Sequence, residues 1–205
     1  GANPLRYKKF IPDNSCNGMI DGWWGTAIGS PARSCPFELL LLSVDTSELT
    51  DDIAVFVLLR LQNVGHEAAS VPWITDPDQI ELPDGNGNFD FVEADLRAKI
   101  AQDGGTTYFR IPVRLYGAKD APGSLKEIRP GDYVELRVGV VLDRSAAMLG
   151  CQSLRAGQGK LSVTWTESDN RVSYEKCGTH GGSSTATELT SNSVLMSVVR
   201  RAGSQ

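Results

Sequence analysis

IAVFVLLRLQN, Ile53 to Asn63, closed by Val64-Gly65, is the stretch whose reading decides the fold. A strand turns successive side chains to opposite faces. Val55, Val57, Leu59 and Leu61 therefore share one face, and Ala54, Phe56, Leu58, Arg60 and Gln62 share the other. Both faces are apolar at the start, and the second turns polar at its end. That pattern predicts a central strand, covered on both sides and emerging into solvent at Arg60.

Strand signals recur on either side of it. Phe37–Asp45, FELLLLSVD, is a continuous apolar run that reads as a buried strand. Val71-Pro72-Trp73-Ile74 reads as a brief strand. In TTYFRIPVRLY, Phe109, Ile111, Val113 and Leu115 face in while Arg110, Pro112 and Arg114 face out. Pro112 has no N–H to give a ladder, which assigns that strand to a sheet edge. DYVELRVGVVL alternates Val134, Leu136, Val138 and Val140 with Tyr133, Glu135 and Arg137. KLSVTWTES turns Leu161, Val163 and Trp165 inward and Ser162, Thr164 and Thr166 outward. Arg171–Lys176 is expected to fold back on it across Ser168-Asp169-Asn170, followed by a polar loop, GTHGGSSTATELTSNS. SVLMSVVRR is a last strand, apolar on both faces, suited to a sheet centre or to an edge donated to a neighbouring subunit.

One segment breaks the pattern. Asp90 and Glu93 have capping-box spacing, Val92, Leu96 and Ile100 stand one helical turn apart, and Gly104-Gly105 follow as a stop. These signals predict a short helix over Phe91–Gln102. About eight strands and one inserted helix make an all-β chain, read as a two-sheet antiparallel β-sandwich of immunoglobulin-like or jelly-roll topology. Residues 1–205 form a single domain in this reading, with residues 1–36 as a loop region pinned by a disulfide.

Composition narrows the class of function. The 205 residues are 40% hydrophobic and 22% charged, ordinary for a globular chain, with a net charge of −5. Without a clustered basic surface no nucleic-acid partner is expected. No apolar run approaches the ~20 residues of a membrane helix, so no membrane span is expected. The Gly-Ala start reads as a processed or trimmed N-terminus. Cys16, Cys35, Cys151 and Cys177 contain no C-x-x-C spacing. Of three possible pairings, Cys16–Cys35 and Cys151–Cys177 close short Gly-rich loops, each worth about 3 kcal/mol in the chain-entropy model. Disulfides imply an oxidising compartment: secreted, periplasmic or cell surface.

Candidate sites are few. Asp84, Asn86, Asn88 and Asp90 place oxygens at alternate positions, able to wrap Ca²⁺, although an ordinary Gly/Asn turn uses the same residues. Trp23 and Trp24, between Gly22 and Gly25, are the binding candidates for a glycan or a protein partner. Met196, in the last strand, is the candidate for subunit contact. His66 and His180 stand far apart in the sequence without a nucleophile elbow or a zinc-protease motif, and Glu167 with Asp169 is a carboxylate pair that turn solvation explains equally well. No catalysis is expected. The reading is a non-catalytic extracellular β-sandwich, a structural or assembly subunit acting through self-assembly. The alternative is a monomeric binding module for a glycan or a protein, for example a hydrolase inhibitor.

Overall fold

The computed structural model describes residues 36–50, 53–82, 87–141, 154–175 and 178–199, without the side chains of 87, 88, 110, 168–175 and 178–187. The described residues are all-β. The strands are β1 (Phe37–Val44), β2 (Glu48–Thr50), β3 (Val55–Asn63), β4 (Ala69–Pro72), β5 (Gly87–Gln102), β6 (Gly105–Ala118), β7 (Leu125–Ile128), β8 (Tyr133–Val140), β9 (Gly157–Glu175), β10 (Gly178–Thr190) and β11 (Val194–Val199). A first sheet runs β1-β3-β8. A second runs β2-β11-β9-β5-β6, with β10 also paired to β9, and β4-β7 is a small ribbon. All pairs are antiparallel except β2 with β11, which departs from the wholly antiparallel expectation.

β3 takes the centre of the first sheet, as its pattern requires. Val55, Val57, Leu59 and Leu61 are buried. The opposite face is not covered, contrary to the reading of a strand enclosed on both sides, and Phe56, Leu58 and Arg60 face outward, half-buried or exposed. Its end is pinned by Asn63, fully buried. The Asn63 Nδ2 donates to the carbonyls of Glu67 and Ile128, both at 2.8 Å, and its Oδ1 accepts from the Gly65 N–H at 2.9 Å. A Cβ on Gly65 would stand 2.8 Å from the Cβ of Pro36, so the turn after β3 admits no side chain there.

The expected helix over Phe91–Gln102 is instead β5. In VEADLRAKI, Val92, Ala94, Leu96, Ala98 and Ile100 alternate with Glu93, Asp95, Arg97 and Lys99, and the apolar set is buried. A spacing of four fits a 3.6 period and a period of two alike, so Val92, Leu96 and Ile100 could not separate them. Pairing to β9 on one edge and to β6 on the other decides for the strand. Asp90 is a strand residue rather than a helix cap, and its carbonyl accepts from the Lys119 N–H at 3.0 Å. Gly104, at φ +97°, turns the chain between Gln102 and Gly105, which are paired, so the expected helix stop is a two-residue Asp-Gly hairpin.

β6 lies at the sheet edge, as Pro112 predicts. Three of its residues, Ile111 to Val113, stand against Leu96 alone, between the pairs Asp95–Arg114 and Arg97–Arg110. The strand bulges where its proline cannot donate. β9 does not fold back at Ser168-Asp169-Asn170 but runs straight to Glu175, and the segment read as a polar loop is β10, paired along it. β11 continues that edge of β9, so the last strand lies inside the sheet, between β9 and β2.

One core cluster joins the inner faces of both large sheets, with Leu39, Val57, Leu59 and Val138 on one side and Leu96, Ile100, Ile111, Val163 and Trp165 on the other. A smaller cluster of Ile80, Phe89, Phe91 and Ala118 covers one end of the second sheet's outer face. Asn192 ties the sheets at their margin, accepting from the Leu41 N–H at 2.8 Å and donating to the Leu41 carbonyl at 3.1 Å.

Candidate functional site

Trp23, Trp24, Cys16, Cys35, Cys151, Cys177, Asp84 and Asn86 lie outside the described residues. The backbone of Asn88 pairs with Ser173 inside β5. Asp90 stands 4.0 Å from the Lys119 ammonium, and no group of three potential metal ligands occurs among the described residues. Met196 is buried in the core, so it is a packing residue of this chain; Leu195 and Val199 are what β11 exposes. His66 is exposed and His180 falls in β10 opposite Ser173. Glu167 and Asp169 sit in mid-strand opposite Ala94 and Val92 rather than at a strand end.

Two outer faces remain. On the first sheet, the cross-strand rows are Gln62–Tyr133, Arg60–Glu135, Leu58–Arg137 and Phe56–Gly139. Arg60 bonds Glu135 at 2.6 Å and lies 3.9 Å over the Tyr133 ring. Arg137 lies 4.3 Å over Phe56, whose ring edge would be 3.4 Å from a Cβ on Gly139. The glycine leaves a bed for the aromatic ring, a recurring cross-strand device. Beyond these arginines the face is apolar: Leu42, Phe56 and Val141 are 38–40% exposed. Leu42 faces outward by the alternation of β1 and is the extra residue of the bulge between Leu41 and Ser43. The sequence held this signal in Phe56 and Leu58, but an apolar outer face and a covered one look alike along the chain.

The outer face of the second sheet is polar. Across β10, β9, β5 and β6 one row reads Glu188, Thr166, Asp95, Arg114, and the next reads Thr190, Thr164, Arg97, Arg110. Ser162, Thr164 and Thr166, expected to face solvent, are buried, because the long side chains of neighbouring strands lie across them. Arg114 bonds Glu93 at 2.7 Å, and its Nε lies 3.5 Å from Asp95 Oδ1; Arg97 Nε lies 3.5 Å from Asp95 Oδ2. Burial would lower the Arg114 pKa, but the charges of Asp95 and Glu93, together with Tyr116, raise it. Burial raises the Glu188 pKa against the opposing pull of Lys99 and Arg97. Asp95 is 7% exposed and Thr166 8%. Neither Asp95 oxygen and not the Thr166 hydroxyl makes a hydrogen bond with any described residue. The alternation of VEADLRAKI carried this row in the sequence, and the helical reading of it hid the row.

No protein-family model matches the chain, and no curated protein matches it. Among solved structures it is similar to Spo0M, a sporulation control protein from Bacillus subtilis, at 10% identity and a TM-score of 0.32, over 80% of this chain and 49% of that one. The chain thus spans about half the length of that protein. It is also similar to AvmM, described as catalysing macrocyclization in alchivemycin A biosynthesis, at 8% identity and a TM-score of 0.26, over 76% of this chain and 87% of that one. Likeness at these scores carries no argument about fold or activity. Among the described residues no helix is long and apolar enough to cross a membrane.

Proposed function

We propose that the chain is a non-catalytic β-sandwich that acts through its surface, as a subunit of a homo-assembly. The observation that carries this reading is the set of exposed apolar residues Leu42, Phe56 and Val141 on the outer face of the first sheet. A large exposed apolar patch is uncommon on a monomer and marks a contact surface. A second copy is a suitable occupant, since a two-fold contact uses the same patch on both subunits. Arg60 and Arg137, held on aromatic rings beside the strip, supply the polar rim such a contact needs. The sandwich, immunoglobulin-like or jelly-roll, is supported by the single core shared between the two sheets. An oxidising location, with Cys16–Cys35 and Cys151–Cys177 paired, belongs to the same proposal and predicts no reactive thiol in protein purified without reductant.

The test is native mass by light scattering at several concentrations, with Phe56→Asp beside the parent. The reading expects a mass well above the 22.1 kDa chain, lost in the variant. A parent that stays at chain mass throughout would sink it.

A further inference from the structure

We propose that the row Glu188, Thr166, Asp95, Arg114 is a binding site for a neutral, hydroxyl-rich ligand, with a short saccharide as the chemistry that fits it. The site lies on the second sheet and does not depend on the assembly reading. Its first support is the cluster of unmet hydrogen-bonding groups. Asp95 and Thr166 are more than nine-tenths buried; Thr166 Oγ1 has no hydrogen-bond partner among the described residues, and the Asp95 oxygens make no hydrogen bond there beyond the ion-pair approaches of Arg114 and Arg97 at 3.5 Å. Native folds leave few buried polar atoms in this condition, and those few call for an explanation.

The kinds of group present select the ligand. A carboxylate only accepts hydrogen bonds and a guanidinium only donates them, whereas a hydroxyl does both. A sugar hydroxyl can donate to Asp95 while accepting from Arg114, whose Nε also lacks a hydrogen bond among the described residues. Neighbouring hydroxyls on one ring can then reach Thr166.

Access and rigidity are compatible with the role. Arg114 and Glu93 are partly exposed, and the Arg114 Nε reaches Asp95 Oδ1 at 3.5 Å from the neighbouring strand, so a ligand meets these two side chains first. Tyr108 and Tyr116 on β6 stand at the two ends of the row, opposite Lys99 and Glu93. The floor is built on β5 and β9, both paired on two edges, which holds its residues in register.

The experiment is an NMR titration of the full chain with maltotriose, cellotriose and chitotriose, and with glucuronate and glucosamine as charged probes. At least one neutral trisaccharide is expected to shift the amides of residues 93–97, 114–116 and 164–166. Thr166→Val, which removes an unmet hydroxyl and so keeps the fold, should weaken that binding about tenfold or more. Asp95→Asn, which keeps the shape but replaces an acceptor with a donor, should weaken it as well. Three results would overturn the proposal: no shift in this row with any neutral trisaccharide, binding only of the charged probes, or binding that both variants leave within about twofold of the parent. Phe56→Asp, which acts on the other sheet, should not change the titration, so the two proposals fail separately.

Discussion

On the outer face of the first sheet, Arg60 meets Glu135 at 2.6 Å with the two side chains 29% and 36% exposed. On the outer face of the second, Arg97 approaches Asp95 only to 3.5 Å, but there the side chains are 6% and 10% exposed. Distance alone would rank the first pair higher. Burial reverses the order, because water screens the first pair and already solvates both partners when it breaks. Removing one member of the second leaves a buried charge with one ion-pair partner fewer. The first face can therefore lose its ion pair cheaply and keep its apolar strip for a partner. The second face depends on its charges for the integrity of the sheet itself.

Four experiments sharpen or break that contrast, from the largest effect to the smallest. Asp95→Ala removes the carboxylate that both Arg97 and Arg114 approach, and is expected to cost about 3–5 kcal/mol in urea denaturation. A cost near that of a surface change would mean that the row is already wet. Thr166→Val removes a buried hydroxyl that has no described partner, and is expected to be neutral or to stabilise by about 1 kcal/mol; clear destabilisation would show that the hydroxyl is satisfied. A double-mutant cycle on Arg60→Ala and Glu135→Ala should give a coupling of about 0.2–1 kcal/mol that fades with added salt.

Glu188→Gln tests the sign of a titration. The Glu188 pKa is raised in the fold, so the folded state holds this proton more tightly than the unfolded chain does. The parent therefore loses stability from this group as pH rises from the ordinary carboxylate value through the raised one, and keeps that deficit above it. Glu188→Gln should flatten this part of the profile and match or exceed the parent at neutral pH, as read by melting temperature against pH. A parent profile that rises through the same window, with the slope abolished in the variant, would contradict a raised pKa.

Much of the first sheet was legible because its strands alternate with a period that only a strand can have. β8 and the inner face of β3 follow directly from Tyr133–Val140 and Val55–Leu61, and Pro112 located a sheet edge. The second sheet was harder for a physical reason. Its central strand is rich in Ala, Leu, Glu and Lys, good helix formers, and its apolar residues recur at a spacing that both periods satisfy. Pairing on both edges, to β6 across a tight hairpin and to the distant β9, makes it a strand. The burial of Ser162, Thr164 and Thr166 has the same origin, since what covers them comes from other strands. β10 was read as a loop from its Gly, Ser and Thr, and β9 supplies the ladder that holds it extended.

The central claim is that the two outer faces differ in character, one apolar and proposed to meet a second copy of the chain, the other polar and built around its own ion pairs. Methyl NMR at rising protein concentration tests it most directly, by following Leu42, Leu58 and Val141 on one face and Thr164 and Thr166 on the other. Concentration-dependent shifts confined to Leu42, Leu58 and Val141 are the predicted result. Shifts at Thr164 and Thr166 instead, or equal shifts on both faces, would contradict it.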